Sequence, residues 1–482
     1  MRRHVALGAA MALLTACAVG PNYHRPETPV DERFANSGEQ GLEQGDPVQL
    51  YWTRFDDPML NDLVQEALLH NQDLAAASAN LQAARAARRL TGFDQFPTVT
   101  AAAGYSKNLY SSQQAFGAPF AEREYDTANL GFDGLWELDL FGRVRRNVEA
   151  ARADVGASAA TLQDARVSVI AEVARDYFVL RGLQDQLELT KRNASNQEST
   201  LTLTRNRLEA GRGNELDTSR AEAQWQTTVA SIPTLEATTA TTIYRLSVLT
   251  GRQPAALSER LSPVTSMPAL PPLNAIGTPE QLLRRRPDVR VAERRLAAAT
   301  ARIGVATGDL FPKVTMVGEI GYSAPGFSGF GTDEGRYFSF GPSITWAAFD
   351  LGRVEARIGE SKALTTAALA TYQGAVLNAL EDTEGALITY GRAQTRRRSL
   401  QVAAAASDKA ADLARKRFEG GLIDFLEVLD AERTALSAEL LLSQSRTDTA
   451  TSLIAVYKAL GAGWEAAGGT LPGGSPPVAG QR

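Results

Sequence analysis

The sequence is poor in the residues from which catalytic and metal sites are usually built. Its 482 residues include one cysteine, three histidines and five methionines. A single cysteine cannot form a disulfide within the chain. The sequence also lacks a phosphate-binding Walker loop, a Gly-x-Ser-x-Gly nucleophile motif and a His-Glu-x-x-His zinc motif. We therefore expect a protein that is not an enzyme and that holds neither a metal nor a cofactor.

Long apolar runs and a strong excess of one charge are absent as well. After the first seventeen residues, no segment approaches the roughly twenty apolar residues that a membrane-spanning helix requires. The net charge is −5 and 44% of the residues are hydrophobic, which argues against nucleic-acid binding and against disorder. We interpret the basic run Arg284-Arg285-Arg286, which precedes Pro287, as the basic start of a helix with proline in its first turn.

The N-terminus has the pattern of a secretory signal. A short basic start, Met1-Arg2-Arg3, is followed by a small apolar run from Val5 to Leu14. The run is closed by Leu14-Thr15-Ala16-Cys17, which resembles the lipobox of bacterial lipoproteins. The resemblance implies that residues 1–16 are a lipoprotein signal peptide and that Cys17 carries a covalent lipid, the only added group we expect. An ordinary signal with a chance cysteine is the alternative.

An ordered series of matching segments shows that the chain contains an internal repeat. The matching pairs are Phe96-Pro97 with Phe311-Pro312, Trp136 with Trp346, Gly142-Arg143-Val144 with Gly352-Arg353-Val354, and Leu216 with Leu426. The offset is 215 residues at the Phe-Pro motif and 210 residues from the tryptophan onward. Because chance does not explain an ordered series, we infer a duplication with a loop of variable length between the motif and the tryptophan.

Proline and glycine divide the chain into further segments. We predict a first repeat over residues 58–253 and a second over 280–460, with a proline-rich linker at 254–279 between them. Residues 17–57 form an extended, lipidated leader. Residues 461–482 are rich in glycine and proline and form a flexible tail.

Each half reads as a helix, two strands, a long helix, a turn and a second long helix. After Gly142 and Gly352, alanine-rich stretches without proline run for about 67 residues to a glycine turn. A helix of that length would reach roughly 100 Å. Gly182 and Gly391 are candidate interruptions of these helices. For the helices alone, an ordinary helical bundle is the alternative.

The strands are predicted at about 98–136 and 313–346. The segments 93–141 and 308–349, which contain them, hold 19 of the chain's 34 aromatic residues. The strands alternate apolar with small or polar residues. In the last strand, for example, Phe338 and Phe340 alternate with Ser339 and Gly341. This pattern is typical of an outer-membrane barrel that faces lipid on one side and water on the other. A soluble β-sandwich is the alternative.

Four strands are too few to close a barrel, and an open sheet edge is not tolerated in lipid. We therefore expect several copies to share one barrel. Two copies would give eight strands and a lumen filled by side chains, whereas three would give twelve strands and space for a channel. We expect Gly142 and Gly352 to allow a sharp turn at each strand-to-helix junction.

The mature chain resembles the TolC-like outer-membrane efflux family, and its lipidated OprM/NodT-type branch in particular. The stretches that carry the resemblance are Cys17-Ala18-Val19-Gly20-Pro21-Asn22-Tyr23, Arg285 to Glu293, Ala301 to Ala306 with Phe311-Pro312, and Asp350-Leu351-Gly352-Arg353. The resemblance implies an α+β membrane protein in the outer membrane, a homotrimer with a twelve-stranded β-barrel on a periplasmic α-helical barrel.

The resemblance also implies a function and partners. The implied function is that of a duct through which small toxic compounds or drugs leave the cell. The implied partners are a periplasmic adaptor, an inner-membrane RND-type pump and outer-membrane lipid, and nucleic acid is not among them. A type I secretion duct that exports polypeptide is an alternative with the same fold. A lipoprotein scaffold without a pore is a further alternative.

The segment Asp424 to Asp430 is the candidate gate. The resemblance implies that the tunnel narrows here and that Asp430 and Leu426 line the constriction. Three copies of Asp430 around an axis would form an acidic ring that favours cations. The local alternative is that Asp424 caps a helix and that Glu427 completes a capping box. We include Glu427 in the gate segment but assign it mainly to the cap.

Overall fold

The structure is a computed structural model that describes residues 18–36, 50–114, 116–117, 119–273 and 275–463. Cys17 and the signal peptide lie outside the described residues, as does the tail beyond residue 463. None of the helices in the described ranges combines the length and the apolar character needed to cross a membrane.

The first half of the chain is mainly helical. Its elements are α1 (Pro58–His70), α2 (Gln72–Phe93), β1 (Thr98–Leu109), the short α3 (Phe120–Arg123), β2 (Glu124–Leu138), α4 (Arg143–Glu209) and α5 (Glu215–Leu249). Short helical turns follow at Pro254–Leu257 and at α6 (Ser258–Leu261).

The second half repeats this order. Its elements are α7 (Pro279–Arg285), α8 (Pro287–Gly308), β3 (Lys313–Ala324), β4 (Arg336–Thr345), α9 (Leu351–Glu419) and α10 (Phe425–Ala459), with short 3-10 turns at Phe327–Gly329 and Asp333–Gly335 between the strands. The predicted α+β class is confirmed: the described chain is mostly helix with one sheet.

The two longest helices contain 67 and 69 residues and run without a break. The expected interruptions at Gly182 and Gly391 are therefore wrong. A lone glycine costs a helix only about 1 kcal/mol relative to alanine, which the packing of a long helix easily offsets. Gly182 has a different role, because a Cβ added there would lie 2.0 Å from Thr447 Oγ1. The glycine lets α4 and α10 approach closely.

The four strands form one antiparallel sheet in the order β1-β2-β3-β4. The central pair joins the two repeats, with Phe132 opposite Ile320. Within the described chain, β1 and β4 each have a partner on one side only. Large apolar side chains along the strands are exposed, and Phe338 is 78% accessible. The sheet therefore lacks the packed inner face of a soluble sandwich.

The repeats share side-chain contacts as well as elements. Trp136 Nε1 donates to the Gln95 carbonyl at 3.0 Å, and the equivalent Trp346 donates to the Leu310 carbonyl at 3.0 Å. Each bond connects the tryptophan at the end of the second strand of a repeat to the residue just before the Phe-Pro motif of the same repeat. The duplication thus preserved a specific hydrogen bond along with the order of elements.

The chain forms two compact units, and neither coincides with a repeat. Of the described residues, the first unit takes those within 18–27, 79–159 and 291–374 and contains the sheet. The second takes those within 28–78, 160–290 and 375–463. Each repeat contributes to both units, because its strands belong to the first unit and most of its long helical hairpin belongs to the second.

The main apolar core lies in the second unit. Tyr51 stacks on Tyr457 with ring centroids 4.6 Å apart, and Phe55 packs on Phe178 at 4.9 Å. The end of the predicted extended leader, Tyr51–Phe55, is thus a buried 3-10 helix. Burial of these aromatic rings contributes much of the stability of this unit.

Candidate functional site at the hairpin turns

Both long helical hairpins reverse direction through the same glycine turn. Gly211 and Gly421 have φ of +69° and +72°, a region that favours glycine. Gly421 N–H donates to the Phe418 carbonyl at 2.9 Å and Leu422 N–H to the Arg417 carbonyl at 2.9 Å. This is a Schellman cap, and the first hairpin has the equivalent pair of bonds.

The helices that follow the turns begin differently. Asn214 caps α5, since its side chain accepts from Asp217 N–H at 2.9 Å. Asp424 occupies the same position before α10, but its side chain makes no cap hydrogen bond. The predicted capping box of Asp424 and Glu427 is therefore wrong. The reason is local: Glu427 N–H already donates to the Asp424 backbone carbonyl at 3.2 Å.

The first two turns of α10 have one buried and one exposed face. Phe425, Val428 and Leu429 are buried, and Phe425 is only 2% accessible. Leu426 is 55% accessible, and Glu427 and Asp430 are exposed beside it. Residues four apart lie on the same face of a helix. The structure therefore places the three predicted gate residues together on the exposed face of α10.

A small apolar cluster, the tip core, supports this face from behind. Its buried members are Leu201, Ala221, Phe418, Phe425, Val428 and Leu429. They come from all four long helices. The tip core thus fixes the exposed gate face relative to both hairpin turns.

One charged position differs in sign between the two hairpin ends. At the offset of 210 residues, Asp430 corresponds to Arg220, and both side chains are exposed. The gate prediction concerned the second hairpin only, because the resemblance that implies a gate applies to the segment from Asp424 to Asp430. The repeat register identifies Arg220 as the counterpart of the acidic gate residue.

A polar cavity lies one turn behind the tip core. It has a volume of about 270 Å³ and is lined by α4, α9 and α10. Glu432, 7% accessible, accepts from Arg415 Nε at 3.3 Å and Thr200 Oγ1 at 3.2 Å. Burial raises the pKa of Glu432, although Arg415 and Thr200 oppose the shift.

The first repeat contains an exposed equivalent of the Arg415–Glu432 ion pair. Arg205 lies 3.3 Å from Glu222, and both side chains are about half exposed. These residues correspond to Arg415 and Glu432 at the offset of 210. The ion pair therefore occurs in both repeats, but its carboxylate is buried in the second repeat only.

The two strand-to-helix junctions differ. Gly142 has a φ of +80°, and a Cβ there would lie 2.5 Å from Ala18 Cα. Gly352 lies in the first turn of α9 with free space around it. We expected a sharp turn at both glycines. The structure has one that requires glycine at Gly142, but none at Gly352. In the second repeat the chain turns earlier, where Asp350 N–H donates to the Ala347 carbonyl at 2.9 Å.

The segment that follows Cys17 is fixed to the start of α4. Buried Arg146 donates to the Val19 carbonyl at 3.1 Å, the Gly20 carbonyl at 3.2 Å and Asn22 Oδ1 at 2.8 Å. Three acceptors on one guanidinium hold the segment firmly.

Arg286 is buried and directly follows α7, and Pro287 begins α8, as the sequence predicts. Its guanidinium donates to Asp288 Oδ2 at 2.6 Å, Asp382 Oδ2 at 2.9 Å and the Ala459 carbonyl at 3.1 Å. The equivalent residue of the first repeat, Asn71, donates in the same way to the Leu249 carbonyl at 3.0 Å.

The described ranges contain no group of three or more His, Cys, Asp or Glu side chains arranged to hold a metal ion. What the described part of the chain offers instead is a pair of long hairpins with charged turns, connected to an antiparallel sheet with an exposed apolar surface. This combination is characteristic of an outer-membrane channel.

Comparison with known proteins identifies the family. The model of the family described as outer membrane efflux protein matches residues 63–252 and 278–462. The chain belongs to this outer membrane efflux protein family, and the resemblance inferred from the sequence is confirmed. It is accordingly an efflux protein of the outer membrane.

Similar proteins cover nearly the whole chain. Outer membrane protein OprJ of Pseudomonas aeruginosa is 31% identical over 458 residues, 94% of each protein. Antibiotic efflux pump outer membrane protein ArpC of Pseudomonas putida is 30% identical over 465 residues, again 94% of each. The solved outer-membrane channel OprN has a TM-score of 0.87 and 42% identity, covering 93% of this chain and 100% of its own.

Proposed function

We propose that the chain is a passive exit duct, without catalytic activity, in the outer-membrane part of a tripartite efflux system. The observation that carries the proposal is the four-stranded sheet. It combines strands of both repeats, exposes large apolar side chains and, in the described chain, has an unpaired strand at each edge. Such a surface is suited to lipid, and such edges call for further strands.

Three copies would complete the barrel. If β4 of each copy pairs with β1 of the next, twelve strands close a barrel wide enough for a channel. Two copies would close eight strands around a lumen filled by side chains, which does not suit a duct. In the same trimer, six long hairpins would form a periplasmic α-helical barrel.

The cargo we propose is small toxic compounds or drugs. The relative from Pseudomonas putida is by name part of an antibiotic efflux pump. The partners would be a periplasmic adaptor and an inner-membrane RND-type pump, since a passive duct needs an energised partner. A covalent lipid on Cys17 would add an anchor, and the firm attachment of Val19 and Gly20 to Arg146 supports a fixed position for it.

Leu426, Glu427 and Asp430 form the proposed gate. They share the exposed face of α10, and the tip core holds this face in place. Three copies of Asp430 and three of Arg220 would bring alternating charges to the narrow end of the duct. Opposite charges at close range attract, which favours a closed resting state.

Gene deletion and complementation in the host test the proposed function. We expect deletion to raise cellular accumulation of ethidium, a fluorescent efflux substrate, and the wild-type gene to restore its export. A deletion strain that exports ethidium normally but retains a secreted polypeptide would favour the type I secretion duct. A strain unchanged in both respects would favour the scaffold without a pore.

A further inference from the structure

The two hairpins of one chain meet through a cation and an aromatic ring. Arg207, near the end of α4, places its guanidinium carbon 4.2 Å from the ring centroid of Phe418, near the end of α9. A cation within about 6 Å of a ring face is attracted to it. Arg207 is half-buried, and among the described residues it forms no ion pair. The ring is therefore its principal partner.

This contact continues to the back of the proposed gate. Phe418 packs on Phe425 with ring centroids 5.7 Å apart. Phe425 is the first residue of α10 and belongs to its buried face, opposite Leu426 and Asp430. Contacts between three side chains thus connect the first hairpin to the gate segment of the second.

The repeat register shows that this contact has no equivalent on the other side of the second hairpin. Arg207 corresponds to Arg417, which is exposed, and Phe418 corresponds to Leu208. Leucine has no aromatic face, so Arg417 and Leu208 cannot form a cation–π pair. Each second hairpin is therefore held by this interaction on one side only.

We propose that Arg207 is a positioning residue for the gate, a latch that holds the second hairpin of a chain against its own first hairpin through Phe418. The gate then opens first on the opposite side of the second hairpin, next to the neighbouring copy, where the latch is missing. This inference rests on the proposed duct and on a gate at this end of the hairpins, whichever residues line its constriction.

The test is single-channel recording in planar bilayers with purified wild-type protein and Arg207→Ala. A half-buried cation–π contact changes an equilibrium by roughly three-fold, so that three copies would change the ratio of open to closed channels by roughly thirty-fold. We expect Arg207→Ala to raise open probability accordingly. Phe418→Leu should have the same effect, and the double variant should open no further than either single one.

The matched control is Arg417→Ala, which removes the equivalent arginine of the second repeat and should leave open probability unchanged. Arg207→Lys keeps a cation and should restore most of the closed state. This rescue distinguishes a latch from general destabilisation, as does thermal dissociation of the oligomer, which should be similar in all these variants.

The possible results distinguish a failure of the latch from a failure of the proposed duct or of the gate assignment. If Arg207→Ala behaves as wild type, or if Arg417→Ala opens the channel equally, the latch is refuted. A lower dissociation temperature without a change in open probability would refute it too. If Arg207→Ala opens the channel and Asp430→Ala does not, the latch is supported and the gate assignment fails. Wild-type protein that conducts no ions would overturn the duct and the latch together.

Discussion

Asp430 and Arg220 occupy equivalent positions in the two repeats but carry opposite charges. Both are exposed beside the glycine turns, in contrast to the buried residues of the tip core. In the proposed trimer they would alternate around the duct. The attraction between them would favour a narrow resting state of the duct. Three copies of Asp430 alone would repel one another and would not favour it.

Asp430→Ala should raise single-channel conductance and make cells more sensitive to bulky antibiotics, because it removes one sign of the alternating ring. Leu426→Ala should act in the same direction by widening the apolar part of the constriction. Conductance in planar bilayers and vancomycin susceptibility measure the two effects. Asp412→Ala, which removes an exposed acid paired with Lys416 on α9, is the charge-matched control. Unchanged conductance in intact oligomers of both gate variants would place the constriction elsewhere.

Glu432 leads to a prediction about pH. Burial raises the pKa of its carboxyl group in the folded protein. The folded state therefore keeps the proton to a higher pH than the unfolded state does. The stability that this proton contributes is fully present below the unfolded pKa and is lost as pH rises through the folded pKa.

We expect the unfolding temperature of Glu432→Gln, relative to wild type, to rise as pH increases from 4 to 8. Glutamine has no proton to lose, whereas wild type must ionise a buried carboxyl group. Circular dichroism on both proteins in detergent measures this difference. Glu222→Gln, in the exposed equivalent pair, should change stability little at any pH. If the difference in unfolding temperature between Glu432→Gln and wild type is constant from pH 4 to 8, the predicted link between protonation of Glu432 and stability is refuted.

At the scale of elements, close helix packing explains why the long helices tolerate glycine. The side chain of Thr447 occupies the space where a Cβ of Gly182 would lie. Threonine is branched at Cβ and cannot easily turn away. The glycine is therefore a contact residue between α4 and α10, and the continuity of α4 depends on this packing rather than on local propensity.

Gly182→Ala should destabilise the protein by about 1–3 kcal/mol, the usual cost of overpacking a close contact. Gly374→Ala, in α9, is the matched control because a Cβ there meets nothing within 4 Å. It should be neutral or stabilising by up to about 1 kcal/mol, since alanine favours helix more than glycine does. Thermal unfolding of both variants measures the two changes in stability. Equal changes in the two variants would contradict close packing at Gly182.

For the whole molecule, the unpaired sheet edges predict the oligomeric state. We expect a detergent-stable trimer, because β1 and β4 need partner strands in lipid. Multi-angle light scattering of the purified protein should give three times the chain mass after correction for detergent. A folded monomer that remains monodisperse would contradict the shared barrel.

The lipid anchor can be tested separately from the barrel. Cys17→Ser should abolish acylation and leave the signal peptide uncleaved by the lipoprotein peptidase, since the sulfur is the acceptor. The protein should still insert, because the exposed apolar side chains of the strands provide an independent anchor. Mass spectrometry of the mature N-terminus is the measurement, and an unmodified wild-type terminus would refute acylation.

The sequence alone determined the order of the elements, the duplication and the family. Alternation in β4, the alanine-rich length of α9 and the glycine turns at Gly211 and Gly421 are local properties, which depend on neighbours a few residues apart. That Leu426 and Asp430 share one face of α10 could also be predicted, because they lie one turn apart in any helix.

Only the tertiary structure decided which charged residues are buried and how the halves join. Arg286 is buried by Asp382 and Ala459, which lie far away along the chain. Likewise, Arg207 meets its ring on Phe418 in the other hairpin. The positive φ at position 142 requires glycine, whereas the helical conformation at position 352 does not. The path of the chain on both sides of a turn decides which conformation its residues adopt. Burial and contact depend on segments that meet in space, and no local pattern in the sequence records which segments these are.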